Sequence, residues 1–198
     1  MTDVALHETD AAERVARARE AYDCVAISYY PNSADIAWML DEERAPLWQA
    51  FVDSGLVCNL QVTPPNYGTL LTLAQRYPNV PFLCNHLGLP SSLDPADVTY
   101  GGLDEAAALG NVFVKASAFY AAANTSWDPR CARALGYFTS LVNALGAERI
   151  LWGTDWPPTS RHLTYRQALE VVRAFAPTLN DGQRAHILGA NAAHLLGI

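Results

Sequence analysis

A carboxylate, an imidazole and an ammonium group each stand near the end of an apolar run in this sequence. Asp155 lies in ILWGTDWPP (Ile150–Pro158), His86 in VPFLCNHLGLP (Val80–Pro90) and Lys115 in NVFVKASAFYA (Asn111–Ala121). A carboxylate between Trp152 and Trp156 is costly to bury without a partner or a task. Apolar walls favour its neutral form and so bring it toward the range of a general base. A helix cap or loop brace is the alternative. By strand alternation Phe82, Cys84 and His86 share a face, which puts His86 at the mouth of a site if that face is interior. A lone histidine at a strand end is also commonly structural. Lys115 is the only lysine in the chain and shares a face with Phe113 and Ser117. Inside a sheet it needs an anion, either a structural carboxylate or a substrate. His162, near Asp155, and the helical His186 and His194 are weaker candidates.

Elements must hold these groups in place. Asp10 and Glu13 have the spacing of a capping box and predict a helix over 11–22. A β-rich run, Cys24–Pro31, follows, then a helix over 41–54 ended by Gly55. Next come a strand (Leu56–Pro64), a helix (Thr69–Tyr77) closed by Pro78, and the His86 strand. A loop over 91–102 and a short helix over 103–109 precede the Lys115 strand. A helix over 129–145, the Asp155 strand and helices near 164–175 and 181–196 complete the order. Five strands apolar on both faces, alternating with helices, predict βαβ units and a parallel sheet. Function in such sheets gathers at the C-terminal strand ends. The polar residues there are Ser28, Tyr29, Tyr30, Asn59, Gln61, Asn85, His86, Lys115, Ser117, Thr154 and Asp155. No GxGxxG or P-loop pattern follows a strand, so nucleotide binding has no support.

The bulk numbers bound the rest. With 198 residues, 51% hydrophobic and 17% charged, the chain reads as a single globular domain over 1–198. A net charge of -7 without any Lys/Arg run excludes an ordinary nucleic-acid binder. Residues 1–100 carry 13 acidic and 5 basic side chains, and 101–198 carry 7 and 8, so the second half tolerates an anionic small molecule better. No apolar run of about 18 residues occurs, which argues against a membrane span. The charged N-terminus lacks a signal-peptide core, so the expected location is cytoplasmic. Cys24, Cys58, Cys84 and Cys131 form no CxxC pair and read as buried small hydrophobes.

Three segments taken in order carry a family resemblance. YPNVPFLCNHLGLP (Tyr77–Pro90), GNVFVKASAF (Gly110–Phe119) and AERILWGTDWP (Ala147–Pro157), with the closing NAAHLLGI, resemble the last strands of one branch of the amidohydrolase superfamily. That branch is the amidohydrolase-related, lactonase-like one. The likeness extends weakly upstream through LVCNLQVTPPNYGTLLTLAQR, to cover about residues 20–198. It implies an α/β fold of the (β/α)₈ TIM-barrel type, incomplete here. The five strands would be strands four to eight, and three opening βα units of about 30 residues each would be missing.

The resemblance also implies roles. Asp155 would activate the attacking water, and His86 would bind substrate or orient the reaction. In a hydrolase, His86 with Lys115 or Arg161 would hold the substrate oxygens as charge develops. Gln61, Ser117, Tyr30 and Trp156 are the other candidate substrate-binding residues. Two departures matter. The chain has no HxH pair, and Gln61 stands where metal-dependent branches place a histidine. Only His86 and Asp155 remain as ligand types, against the three or four that a zinc site takes, so neither a metal nor another cofactor is expected. The leading reading is a hydrolase of a sugar lactone or dicarboxylate lactone. The others are a non-catalytic or partner-completed barrel remnant, and a metal-dependent amidohydrolase or decarboxylase. The expected partner is a small molecule, with self-association a way to cover open sheet edges.

Overall fold

The computed structural model describes residues 1–31, 34–90, 100–123 and 127–198. Six strands pair in chain order: β1 (Thr2–Asp3), β2 (Ala26–Tyr29), β3 (Val57–Leu60), β4 (Phe82–Cys84), β5 (Val112–Ala116) and β6 (Ile150–Trp152). Every neighbouring pair is parallel. The strands alternate with helices α1 (Ala11–Tyr22), α2 (Ala45–Ser54), α3 (Tyr67–Arg76), α4 (Phe119–Ala123), α5 (Ala132–Leu145) and α6 (Tyr165–Arg173). Helices α7 (Asp181–Ala185) and α8 (Asn191–Leu196) run into one another through a π-turn at His186–Ala190. This is a (β/α)₈-type architecture whose sheet does not close: among the described residues β1 and β6 each keep one unpaired edge.

The sheet has two chemically different faces. Ile27, Cys58, Leu60, Phe82, Cys84, Val112, Val114 and Ile150 face the helices in one large core. Trp48 anchors that core, stacked 5.6 Å from Phe51 and 5.5 Å from Tyr77, with its indole N–H donated to the Met39 carbonyl at 2.9 Å. The other face has a smaller cluster of Ala26, Val57, Leu83 and Leu151, with Phe113 and the α8 residues Ala192, Leu195 and Leu196 packed on it. By register Ser28 and Asn59 share this face, and by alternation so does Lys115. All four cysteines are buried and unpaired, as expected of small hydrophobes. No described helix is long and apolar enough to cross a membrane.

Several local expectations change. The sheet has six strands rather than five, because β1 is two residues long in a charged segment and carries no alternation to read. The capping box at α1 does not form: Asp10 sits at φ -91°, ψ 8° without a capping bond and pairs instead with Arg14 at 3.7 Å. Extended backbone is what an N-cap needs. Thr164–Gln167 and Asn180–Gln183 have it and form the boxes of α6 and α7. The run Asn111–Ala121 is not one strand. Ala118 turns at φ +51° and the alanine-rich Phe119–Ala123 becomes α4. Within the loop expected over 91–102, 91–99 lie outside the described residues, and Tyr100–Ala108 form one 3₁₀ stretch.

The NAAHLLGI segment ties the last helix to the base of β6. Asn191 is buried, and its amide donates to the carbonyls of Ala147 at 2.7 Å and Ile150 at 2.8 Å. Its oxygen lies 3.2 Å from His186 Nδ1. Asn191→Leu leaves these buried groups unpaired and is expected to cost about 2–3 kcal/mol in urea unfolding.

Candidate active site

His86, Ser117, Lys115 and Asp155 are brought together where β4, β5 and β6 end. The loops after these strands carry unusual backbone. Of seven non-glycine residues with positive φ among the described residues, five are His86, Leu87, Leu89, Ala118 and Asp155. Each such conformation costs about 1 kcal/mol or more and persists only where the surroundings hold it. The Asp155 turn is held by the Thr159 N–H, which donates to the Asp155 carbonyl at 3.0 Å, with Thr159 itself buried.

The positive φ at His86 changes the argument that first marked it. Phe82 and Cys84 point to the helix-covered face, not the interior. Strand β4 stops at Cys84, and the turn His86–Gly88 swings the imidazole toward β5 and β6. Gly88 permits that turn: its φ is +76°, and its carbonyl accepts the Tyr67 hydroxyl at 2.5 Å.

His86 Nδ1 lies 2.9 Å from Ser117 Oγ, and Nε2 lies 3.6 Å from Asp155 Oδ1. A bare Nε2 lone pair would face a carboxylate, so the proton belongs on Nε2 and the Ser117 hydroxyl donates to Nδ1. Ser117 is fully buried and its hydroxyl is committed to the imidazole. Burial lowers the His86 pKa from its usual value, against the Asp155 carboxylate, while the Lys115 ammonium lowers it further.

The sign of the resulting pH dependence follows. The unfolded chain takes up a proton near pH 6.5, where folded His86 resists it. Stability held above that pH is lost as pH falls through the window below it. The melting temperature is expected to drop from pH 7 toward pH 5, and to drop less in His86→Gln.

Lys115 rises from β5 with its aliphatic stem against Gly153, where an added Cβ would come within 3.3 Å of the lysine Cδ. The glycine of the GTDW segment thus makes room for Lys115. Among the described residues no carboxylate lies within 4.0 Å of its ammonium. Burial lowers its pKa, opposed by Asp155 and by the Cys84 thiol. The Cys84 thiol itself is pushed up to about 12 by burial.

The two flanking tryptophans do not wall Asp155. Trp152 belongs to the helix-side core, edge-on to Tyr165, and Trp156 is 58% exposed. The Asp155 carboxylate meets polar neighbours instead: His86 on Oδ1, and the Tyr120 hydroxyl, which donates to Oδ2 at 2.6 Å. Tyr120 stacks on His162 with ring centroids 4.5 Å apart and planes 9° from parallel. No sequence signal marked Tyr120, because its run read as strand. Its distance of 35 residues from Asp155 is closed only by the α4 turn. Arg161 lies in the turn Pro158–Arg161, near enough to act on the Tyr120 phenol. Gln61 follows β3 half-buried, and Tyr30 follows β2 at 43% exposure; no hydrogen bond joins either side chain to the His86–Asp155 group. Asn85, next to His86, is fully buried with neither amide atom partnered among the described residues, which leaves polar capacity for a ligand or water.

A parallel sheet that does not close carries a carboxylate, an imidazole and an ammonium near its C-terminal strand ends, where folds of this barrel type gather their functional groups. The chain belongs to the amidohydrolase family, whose model matches residues 3–198. It is 28% identical over 171 residues to an L-fucono-1,5-lactonase of Burkholderia ambifaria, covering 83% of this chain and 58% of that protein. The chain thus spans little more than half the length of this relative. In fold it is similar to an amidohydrolase of Burkholderia multivorans crystallised with HEPES or with zinc (TM-score 0.81, 21% identity, 98% of this chain and 72% of that one). It is also similar to a 2,6-dihydroxybenzoate decarboxylase from Rhizobium (TM-score 0.70, 15% identity, 98% and 69%).

Zinc in one of these neighbours raises the question of fit. Among the described residues no three His, Cys, Asp or Glu side chains converge. His86 and Asp155 supply two donors where zinc takes three or four, and the Lys115 charge bears on both. Among the described residues this set falls short of the three or four donors of a zinc site.

Proposed function

We propose that this protein is a lactone hydrolase in which Asp155 deprotonates the attacking water. The observation that carries the reading is the approach of Asp155 Oδ1 to His86 Nε2 at 3.6 Å, with the Lys115 ammonium close enough to act on both groups. A water at the carboxylate loses its proton to Oδ1 as its oxygen bonds to the lactone carbonyl carbon. The negative charge that develops on the carbonyl oxygen falls to the His86 N–H and Lys115. Collapse breaks the ring C–O bond, and the ring oxygen takes the proton back from Asp155. The product is a hydroxy acid, and no other reactant is consumed.

The likeness to an L-fucono-1,5-lactonase supports a sugar lactone as substrate. A dicarboxylate lactone is the other candidate class, since Lys115 and Arg161 suit an anion. The test is a panel of aldonolactones and dicarboxylate lactones, followed by acid release with metal-depleted protein. Turnover above the spontaneous rate is expected, unchanged by a chelator. Turnover that requires added zinc would contradict the metal-free reading.

The free edges of β1 and β6 favour a second reading, in which further strands must complete the barrel before it works. Under that reading the chain alone turns over nothing on the panel. A chimera carrying the opening strands of the Burkholderia ambifaria lactonase does.

A further inference from the structure

The two oxygens of Asp155 have different surroundings. Oδ1 faces His86 Nε2 at 3.6 Å, while Oδ2 accepts the Tyr120 hydroxyl at 2.6 Å. A hydroxyl bond to a carboxylate is shorter and stronger than a neutral one. Tyr120 is also clamped. Its helix is rooted by Phe119 against Phe138, centroids 5.9 Å apart, and its ring lies flat on His162.

We propose that Tyr120 is a positioning residue: it occupies Oδ2, fixes the carboxylate plane, and leaves Oδ1 as the oxygen that takes the proton from water. His162 holds the Tyr120 ring in that pose. The choice of reacting oxygen rests on the lactone-hydrolysis reading; the hold on Asp155 does not. Burial, and then the bond to Asp155, raise the Tyr120 pKa, so the phenol stays a donor and is not itself the base. The titratable groups that face the Asp155 carboxylate are His86 and Tyr120, with Lys115 beside them and Arg161 near the phenol.

Tyr120→Phe removes the hydroxyl and keeps the ring on His162. The first readout needs no activity: a ¹³C NMR titration of the aspartate carboxyls, with the Asp155 signal assigned from its absence in Asp155→Asn. A bond to the charged form favours that form, so its loss should move the Asp155 midpoint up by about 0.5 pH unit or more. The second is kinetic: kcat should fall about tenfold with KM within about twofold, and the acid limb should move to higher pH. His162→Leu keeps the hydroxyl and removes the stack, and should give a smaller shift in the same direction. It serves as the readout if Tyr120→Phe does not fold. An unchanged Asp155 midpoint in a folded variant overturns the proposal. A shifted midpoint in a protein that hydrolyses no lactone supports the positioning role and sinks the lactone reading instead.

Discussion

Asp155→Asn is expected to lower kcat for lactone hydrolysis by about a thousandfold, with KM changed only a few-fold. The amide is nearly isosteric. It can still accept the Tyr120 hydroxyl that now meets Oδ2 at 2.6 Å. What it cannot do is take a proton from water, since the position facing His86 is now an amide NH2. Circular dichroism and melting temperature should stay close to wild type, which separates lost chemistry from lost fold. A variant that hydrolyses as fast as wild type would remove Asp155 from the mechanism.

Gly88→Ala carries the largest expected effect on stability. An added Cβ would lie 2.6 Å from the Tyr67 hydroxyl oxygen and 2.9 Å from Leu103 Cδ2. Both neighbours are buried, and Tyr67 is pinned by its bond to the Gly88 carbonyl. The φ of +76° adds conformational strain for any side chain. Overpacking and strain together should cost about 3 kcal/mol. Because His86 is two residues away, activity should fall further than the folded fraction does. Urea unfolding and specific activity measured on the same sample check both. A fully stable, fully active Gly88→Ala would show that the loop does not need this geometry.

Strand order and the strand-end positions of His86, Lys115 and Asp155 were legible because apolar runs bounded by proline and glycine carry the parallel-sheet pattern. Lys115 lies on the face that alternation assigns it. His86 reaches the same place for a different reason: the chain leaves the strand at Cys84 and turns through positive φ, which periodicity does not encode. The aspartate was legible from its place at the end of an apolar run, but it is partly exposed rather than buried, and its neighbours were not legible. The tryptophans beside it in sequence point elsewhere, and Tyr120 arrives from another loop. Strand β1 carries no legible signal, because two residues are too few for a period. The Asp10–Glu13 spacing suggested a cap that the local backbone does not support.

The central claim is that Asp155 acts as a base on water and not as a nucleophile on the carbonyl. A single turnover in ¹⁸O-water tests it most directly, with the protein in excess over lactone and both product and Asp155 peptide weighed. The account predicts one ¹⁸O in the carboxylate of the hydroxy acid and none in the peptide. Label in Asp155 would contradict it, because it requires a covalent acyl intermediate on that carboxylate.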